Sequence, residues 1–130
     1  MTNNDLEIII KNLGKIIRGN LGNWEFEIDR TRFICLTDTN HNRMRIISPI
    51  IESSKISSQQ MLHCMEANFH TALDTKYAIS NGIVWSVFIH PLKELTESQA
   101  IDAISQVYST VKTFGTTYSS SNLIFPKQDE

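Results

Sequence analysis

The spacing of apolar residues changes along this chain, and that change constrains the fold more than any other feature. Apolar residues recur at helical spacing near residues 5–18, 61–74 and 100–114. Between these stretches lie short segments with alternating or continuous apolar residues, which are typical of β-strands. We therefore predict an α+β fold in the order α-β-β-β-α-β-β-α, with helices packed on a five-stranded antiparallel sheet.

The first helix is predicted over residues 5–18, where apolar side chains recur every three or four positions. Asn3 or Asn4 would cap its start, and Gly19-Asn20 would end it. Three strands are predicted to follow, over residues 24–28, 32–36 and 43–48, as an antiparallel meander. Pro49 is expected to end the third of these strands, because proline cannot donate to the hydrogen-bond ladder.

The second helix is predicted to run to about Asp74 and allows two interpretations. Its apolar residues at helical spacing are Met61, Leu62, Met65, Phe69, Ala72 and Leu73. The favoured interpretation is that this stripe packs on the sheet of its own chain. The alternative is that the stripe binds a partner or a second copy of the chain, because methionine suits adaptable apolar surfaces. The candidate contact residues are then Met61, Met65, Phe69 and Trp85.

A hairpin and a third helix follow. Asn81-Gly82 favours a tight type I′ turn between strands at residues 76–80 and 83–90. The second strand is apolar on both faces, which predicts cover on both sides or an interface. Thr96 and Gln99 match a capping box for a helix that ends near Gly115. The apolar segment 123–125 is expected to pack back on the body before a charged tail.

This order and its punctuation resemble the YbjN-like family, which consists of bacterial proteins regarded as regulators. The resemblance covers roughly residues 6–125, and its features lie mostly in the last third of the chain. They are His90-Pro91-Leu92, Leu95-Thr96-Glu97-Ser98-Gln99 and Thr113-Phe114-Gly115. The resemblance implies the fold of the type III secretion chaperones. These chaperones form homodimers and hold an extended, partly unfolded segment of a partner on their surface. The resemblance supplies no reactive site.

Length and charge narrow the function further. A chain of 130 residues fits a single domain over residues 1–130, and a net charge of −2 argues against a duplex-DNA surface. Cys35 and Cys64 lie in apolar stretches and are interpreted as buried, reduced thiols. The N-terminal residues lack the basic region of a signal peptide, and no apolar run is long enough to span a membrane. The sequence therefore predicts a cytoplasmic protein.

Residues with catalytic or ligand-binding chemistry form no recognisable catalytic motif, and we predict a non-enzymatic protein without a cofactor or a metal. One alternative is a small metal-dependent enzyme that uses His63, Glu66 and His70, which lie near one face of the second helix. Another is a binder of single-stranded nucleic acid. It would use Arg30, Arg32, Arg43 and Arg45, with Trp24 and Phe33 stacking on bases. Against it, Arg43 and Arg45 could pair with Glu25 and Glu27 across strands.

Overall fold

The computed structural model describes residues 1–121, so the predicted packing of residues 123–125 lies outside the described part. Three α-helices occur in the described part: α1 (Asn3–Leu13), α2 (Ser58–His70) and α3 (Glu97–Lys112). The strands are β1 (Lys15–Asn20), β2 (Asn23–Ile28), β3 (Thr31–Asp38), β4 (Arg43–Glu52), β5 (Lys76–Ser80) and β6 (Ile83–His90). A single 3₁₀ turn, Ser53–Lys55, leads from β4 into α2. None of the helices in this part is long and apolar enough to cross a membrane.

The sheet has six antiparallel strands in the order β1-β2-β3-β4-β6-β5. The α+β class and the order of the predicted elements are confirmed, but the strand count of five is one short. The first helix ends at Leu13, and residues predicted as its last turn form β1 instead. A Cβ atom at Gly14 would lie 2.5 Å from the carbonyl oxygen of Glu27, so glycine allows the close approach of the chain to β2. The β-branched Ile16 and Ile17 that follow suit a strand.

The N-terminal ends of the helices are predicted more accurately by their capping residues than the C-terminal ends are by the apolar pattern. The caps of α2 and α3 are Ser57 with Gln60 and Thr96 with Gln99, both as full capping boxes. The cap of α1 is Thr2 rather than Asn3 or Asn4, and it forms a capping box with Asp5. The second helix ends at His70 and does not reach Asp74.

Pro49 does not end β4, which continues to Glu52. The pairing of β3 with β4 ends at Ile34–Ile47, whereas β6 pairs with β4 up to Glu52. Pro49 therefore lies where β4 has a neighbouring strand on one side only, and the missing N–H group disrupts no ladder on the other side. A bulge between Pro49 and Ile51 accompanies it. In the β5–β6 turn Asn81 and Gly82 both have positive φ angles, 51° and 74°, which confirms the predicted turn.

The helices pack on one face of the sheet. Side chains of α1 and α3 form the main core with that face, and the fully buried aromatic residues Trp24, Phe26 and Phe33 lie in it. A second, smaller core lies under α2 and joins Cys64 and Ala67 to Tyr77, Val84 and Tyr118. We call the opposite face of the sheet, which no helix in residues 1–121 covers, the open face. It contains the side chains that alternate with the core residues along each strand.

Candidate protein-binding surfaces

Helix α2 is oriented by its small side chains. Cys64 and Ala67 are 3% and 5% exposed and contact the smaller core. Three of the six residues of the predicted stripe, Leu62, Met65 and Phe69, lie on the other side of the helix, so the interpretation that the stripe packs on its own sheet is wrong for these three. Ala72, which follows the helix, is buried. Small residues let the helix lie close to the strands, and the large apolar residues consequently face outward.

Two sets of polar contacts fix this orientation. The side-chain amide of Asn68 donates to the carbonyl oxygen of Tyr77 at 3.0 Å and accepts from its N–H at 2.8 Å. These bonds satisfy main-chain groups on the outer edge of β5, which a second strand could otherwise pair with. At the end of the helix the hydroxyl of Thr71 donates to the carbonyl of Tyr118 at 2.5 Å, and Ser120 N–H donates to the carbonyl of Thr71 at 3.1 Å.

The outward side of α2 carries three large apolar side chains, which we call the α2 stripe: Leu62, Met65 and Phe69. Their exposed fractions are 56%, 63% and 81%. Their spacing of three and four residues places them on one face of the helix. Met61 is half-buried beside them. A cluster of exposed large apolar side chains is typical of a surface that contacts another molecule.

Trp85, the fourth candidate residue, lies on a different surface. In the sheet it pairs with Pro49 and Ala78, so its side chain projects from the open face. Its indole N–H donates to the carbonyl oxygen of Ser80 at 3.1 Å, and the ring is half-buried. The four candidate residues therefore belong to two surfaces rather than one.

The open face has an apolar centre. Ile34, Ile47 and Val87 form one row across three neighbouring strands, and each is half-buried. The next row contains Leu36, Arg45 and Ile89, of which Ile89 is 54% exposed. The sequence predicted that β6 would be covered on both sides or belong to an interface. Cover by another element is absent from the described part of the chain.

Charged residues flank this apolar centre. Glu25 bonds to Arg18 at 2.8 Å and also to Arg32, and its carboxylate is mostly buried between them. The predicted pairing of Arg43 and Arg45 with Glu25 and Glu27 is therefore wrong. The strand order places Arg18 opposite Glu25 and Arg32 opposite Glu27, and both arginines bond to Glu25. A depression of about 320 Å³ lies at this end, lined by Arg18, Gly19, Asn20, Asn23, Glu25 and Ile34.

The full set of residues is brought together for neither alternative function, although Arg32, Arg43 and Arg45 share the open face. In residues 1–121 no group of three or more His, Cys, Asp or Glu residues is placed to hold a metal ion. His63 contacts the ring of Tyr118 instead, and His70 contacts that of Phe69. The nucleic-acid alternative requires Trp24 and Phe33 to stack on bases, but both side chains are fully buried in the main core.

Both cysteines are buried, as predicted, and no disulfide joins them. Burial raises the pKa of the Cys35 thiol from 9.0 to about 12, because the thiolate would lose its hydration. Burial also raises the pKa of Cys64. Both side chains are thus kept as thiols at neutral pH, and neither has the lowered pKa of an activated nucleophile.

Sequence reasoning missed the apolar centre of the open face. The signal was present in β3, where Phe33, Ile34, Cys35 and Leu36 are apolar without alternation. That pattern indicates a strand with apolar side chains on both faces.

The fold described above is that of the type III secretion chaperones. A chain in the structure of the HopA1–SchA chaperone–effector complex superposes with a TM-score of 0.64 and 10% sequence identity, over 86% of this chain and 94% of that one. The Yersinia pestis type III secretion chaperone SycH, solved in complex with a stable fragment of YscM2, gives a TM-score of 0.62 at 13% identity. This match covers 86% of the present chain and 98% of the other chain. No protein-family model matches the sequence, and no curated protein matches it significantly.

Proposed function

We propose that this chain is a YbjN-like, non-catalytic protein-binding or regulatory module that acts as a homodimer. In this proposal it is a single domain over residues 1–130 and works in the cytoplasm, where buried thiols such as Cys35 and Cys64 stay reduced. The exposure of the α2 stripe is the observation that carries the proposal. The two chaperone structures of the same fold, each solved with a protein partner, support a protein as the ligand.

The α2 stripe provides enough apolar surface to contribute to a dimer. Complete burial of a leucine, methionine or phenylalanine side chain stabilises by about 1.5–3 kcal/mol. A symmetric contact between two α2 helices would bury each side chain twice, once in each copy. The free energy gained by this burial is then comparable to the several kcal/mol that association costs in lost rotation and translation. Met61 lies beside the stripe and would extend the contact, whereas Trp85 would contact a partner through the open face.

Substitution of Met65 by glutamate tests the dimer. We expect light scattering to give a dimer for the native protein and a 14.9 kDa monomer for Met65→Glu, because a buried carboxylate in the contact is costly. Ile8→Glu is the matched control. Ile8 is 60% exposed on α1, against 63% for Met65, and lies outside the α2 stripe. This control variant should stay dimeric.

Circular dichroism of both variants should match that of the native protein, since both positions are exposed. A native protein that is monomeric at micromolar concentration would rule out the homodimer. A dimer that persists in Met65→Glu would show that the subunits associate through a different surface. Dissociation of both variants would mean that any added negative charge disrupts the dimer.

A further inference from the structure

The open face of the sheet combines apolar side chains with cations that outnumber its carboxylates. Arg45 lies between Leu36 and Ile89 in its row, so its nearest neighbours across the sheet are apolar. Among residues 1–121 it forms no ion pair within 4.0 Å. An arginine in such surroundings is well suited to bind a carboxylate, which its planar guanidinium can contact through two hydrogen bonds.

The charge balance of this face differs from that of the chain. Its cations are Lys15, Arg18, Arg32, Arg43, Arg45 and Lys76. Its carboxylates are four, Glu25, Glu27, Asp38 and Glu52, and three of them have ion-pair partners, while Glu27 lies opposite Lys15 and Arg32. Glu25 is shared by two arginines, Asp38 contacts His41 at 2.8 Å, and Glu52 lies 3.8 Å from Lys55. The open face is thus net positive on a chain whose formal charge is −2.

We propose that the open face binds a protein segment that presents apolar and acidic side chains together, with Arg45 contacting a carboxylate of that segment. This inference rests on the proposed protein-binding function and assigns the chemistry of the partner. Arg45 and Ile47 are two residues apart on β4, so their side chains emerge roughly 7 Å apart. The same interval separates alternate side chains of an extended peptide. A segment in which acidic and apolar residues alternate on the contacting side therefore matches the face.

The apolar centre favours a protein over a nucleic acid. Single-stranded nucleic acid binds through aromatic rings on which its bases stack. On this sheet the aromatic residues Trp24, Phe26 and Phe33 point into the core. The central side chains of the open face are the aliphatic Ile34, Ile47 and Val87, and Trp85 is the aromatic residue beside them. Aliphatic side chains contribute by excluding water from apolar groups of a partner.

Fluorescence anisotropy with three labelled probes tests the inference on the full chain. The probes are a 12-residue peptide with three Leu-Ser-Glu-Ser repeats, which places leucine and glutamate alternately on one side of the extended chain, its counterpart with lysine in place of glutamate, and a 12-nucleotide oligouridylate. We expect the glutamate peptide to bind and the other two not to bind. Substitution Arg45→Gln should weaken binding about tenfold, which corresponds to the loss of one charge-assisted contact. Arg30→Gln, in the β2–β3 turn outside the open face, should change binding less than about twofold.

Several outcomes would overturn the inference, and they are separable from failure of the homodimer. Equal binding of the lysine peptide, or an unchanged affinity in Arg45→Gln, would show that the acidic groups are not recognised. Binding of oligouridylate that depends on Arg45 would assign the face to nucleic acid. A dimer that binds none of the probes would leave the α2 proposal in place and reject this one. A monomer that binds the glutamate peptide through Arg45 would do the reverse.

Discussion

Helices α2 and α3 begin in the same way and end up in opposite situations. Each starts with a capping box, and each carries apolar residues at helical spacing. Helix α3 lies over β4 and β6 and buries Ala100, Ala103, Ile104 and Val107. Helix α2 lies beside the edge strand β5 and buries Cys64 and Ala67, while the α2 stripe is exposed. The apolar pattern of a helix therefore indicates that some surface will cover it, without indicating which one.

Position in the sheet explains the difference. A helix over central strands has more sheet beneath it, and α3 buries the large residues Ile104 and Val107 there as well as small ones. A helix at the edge has less sheet beneath it, and α2 uses small residues for close contact and Asn68 for a polar connection to β5. In α2 the large apolar residues are consequently available to another molecule.

The largest effect on stability is expected when a buried side chain of α3 is shortened. Ile104 is 4% exposed in the main core, so Ile104→Ala should lower the free energy of unfolding by about 2–5 kcal/mol. Leu62→Ala in the α2 stripe removes a similar side chain that is 56% exposed, and the monomer should lose no more than about 0.5 kcal/mol. Urea unfolding of both variants in the Met65→Glu background separates folding from association. Equal losses would contradict the distinction between the two helices.

An intermediate effect is expected from the link between α2 and β5. Asn68→Ala leaves the N–H and carbonyl groups of Tyr77 without their side-chain partner and should cost about 1–2 kcal/mol. Hydrogen exchange at the Tyr77 amide should become faster, because the edge of β5 then meets solvent. Gln59→Ala, at an exposed position of the same helix, is the matched control and should leave that exchange rate unchanged. An unprotected Tyr77 amide in the native protein would argue against this contact in solution.

The smallest expected effect is a difference in the rates at which the two buried cysteines react. Cys64 is on the buried side of α2 in the smaller core, and Cys35 lies in β3 within the main core. Both thiols have raised pKa values, so alkylation requires local opening that exposes them. We expect iodoacetamide to label Cys64 before Cys35, as measured by peptide mass spectrometry over time at pH 8. Identical labelling rates would mean that α2 and the main core open together.

Much of the fold could be predicted from short-range sequence patterns such as helix caps and turns. The Thr96 capping box and the Asn81-Gly82 turn depend on bonds and φ angles within a few residues, and both are confirmed. The predicted end of α1 was wrong because Ile16 and Ile17 continue the helical pattern of apolar residues. Only their pairing with β2 makes them part of a strand. Of the candidate site, the sequence identified Met61, Met65, Phe69 and Trp85 as possible contacts, and their contact with a partner stays a prediction.

The sequence by itself determined the α+β class, the order of the elements it recognised and the buried state of both cysteines, because these follow from periodicity, caps and turn residues close together in the chain. The tertiary structure alone decided the sixth strand, the outward direction of the α2 stripe and the partners of Glu25. Each of these depends on which strands become neighbours. That choice is made by packing and register between residues far apart in sequence, so no local pattern encodes it.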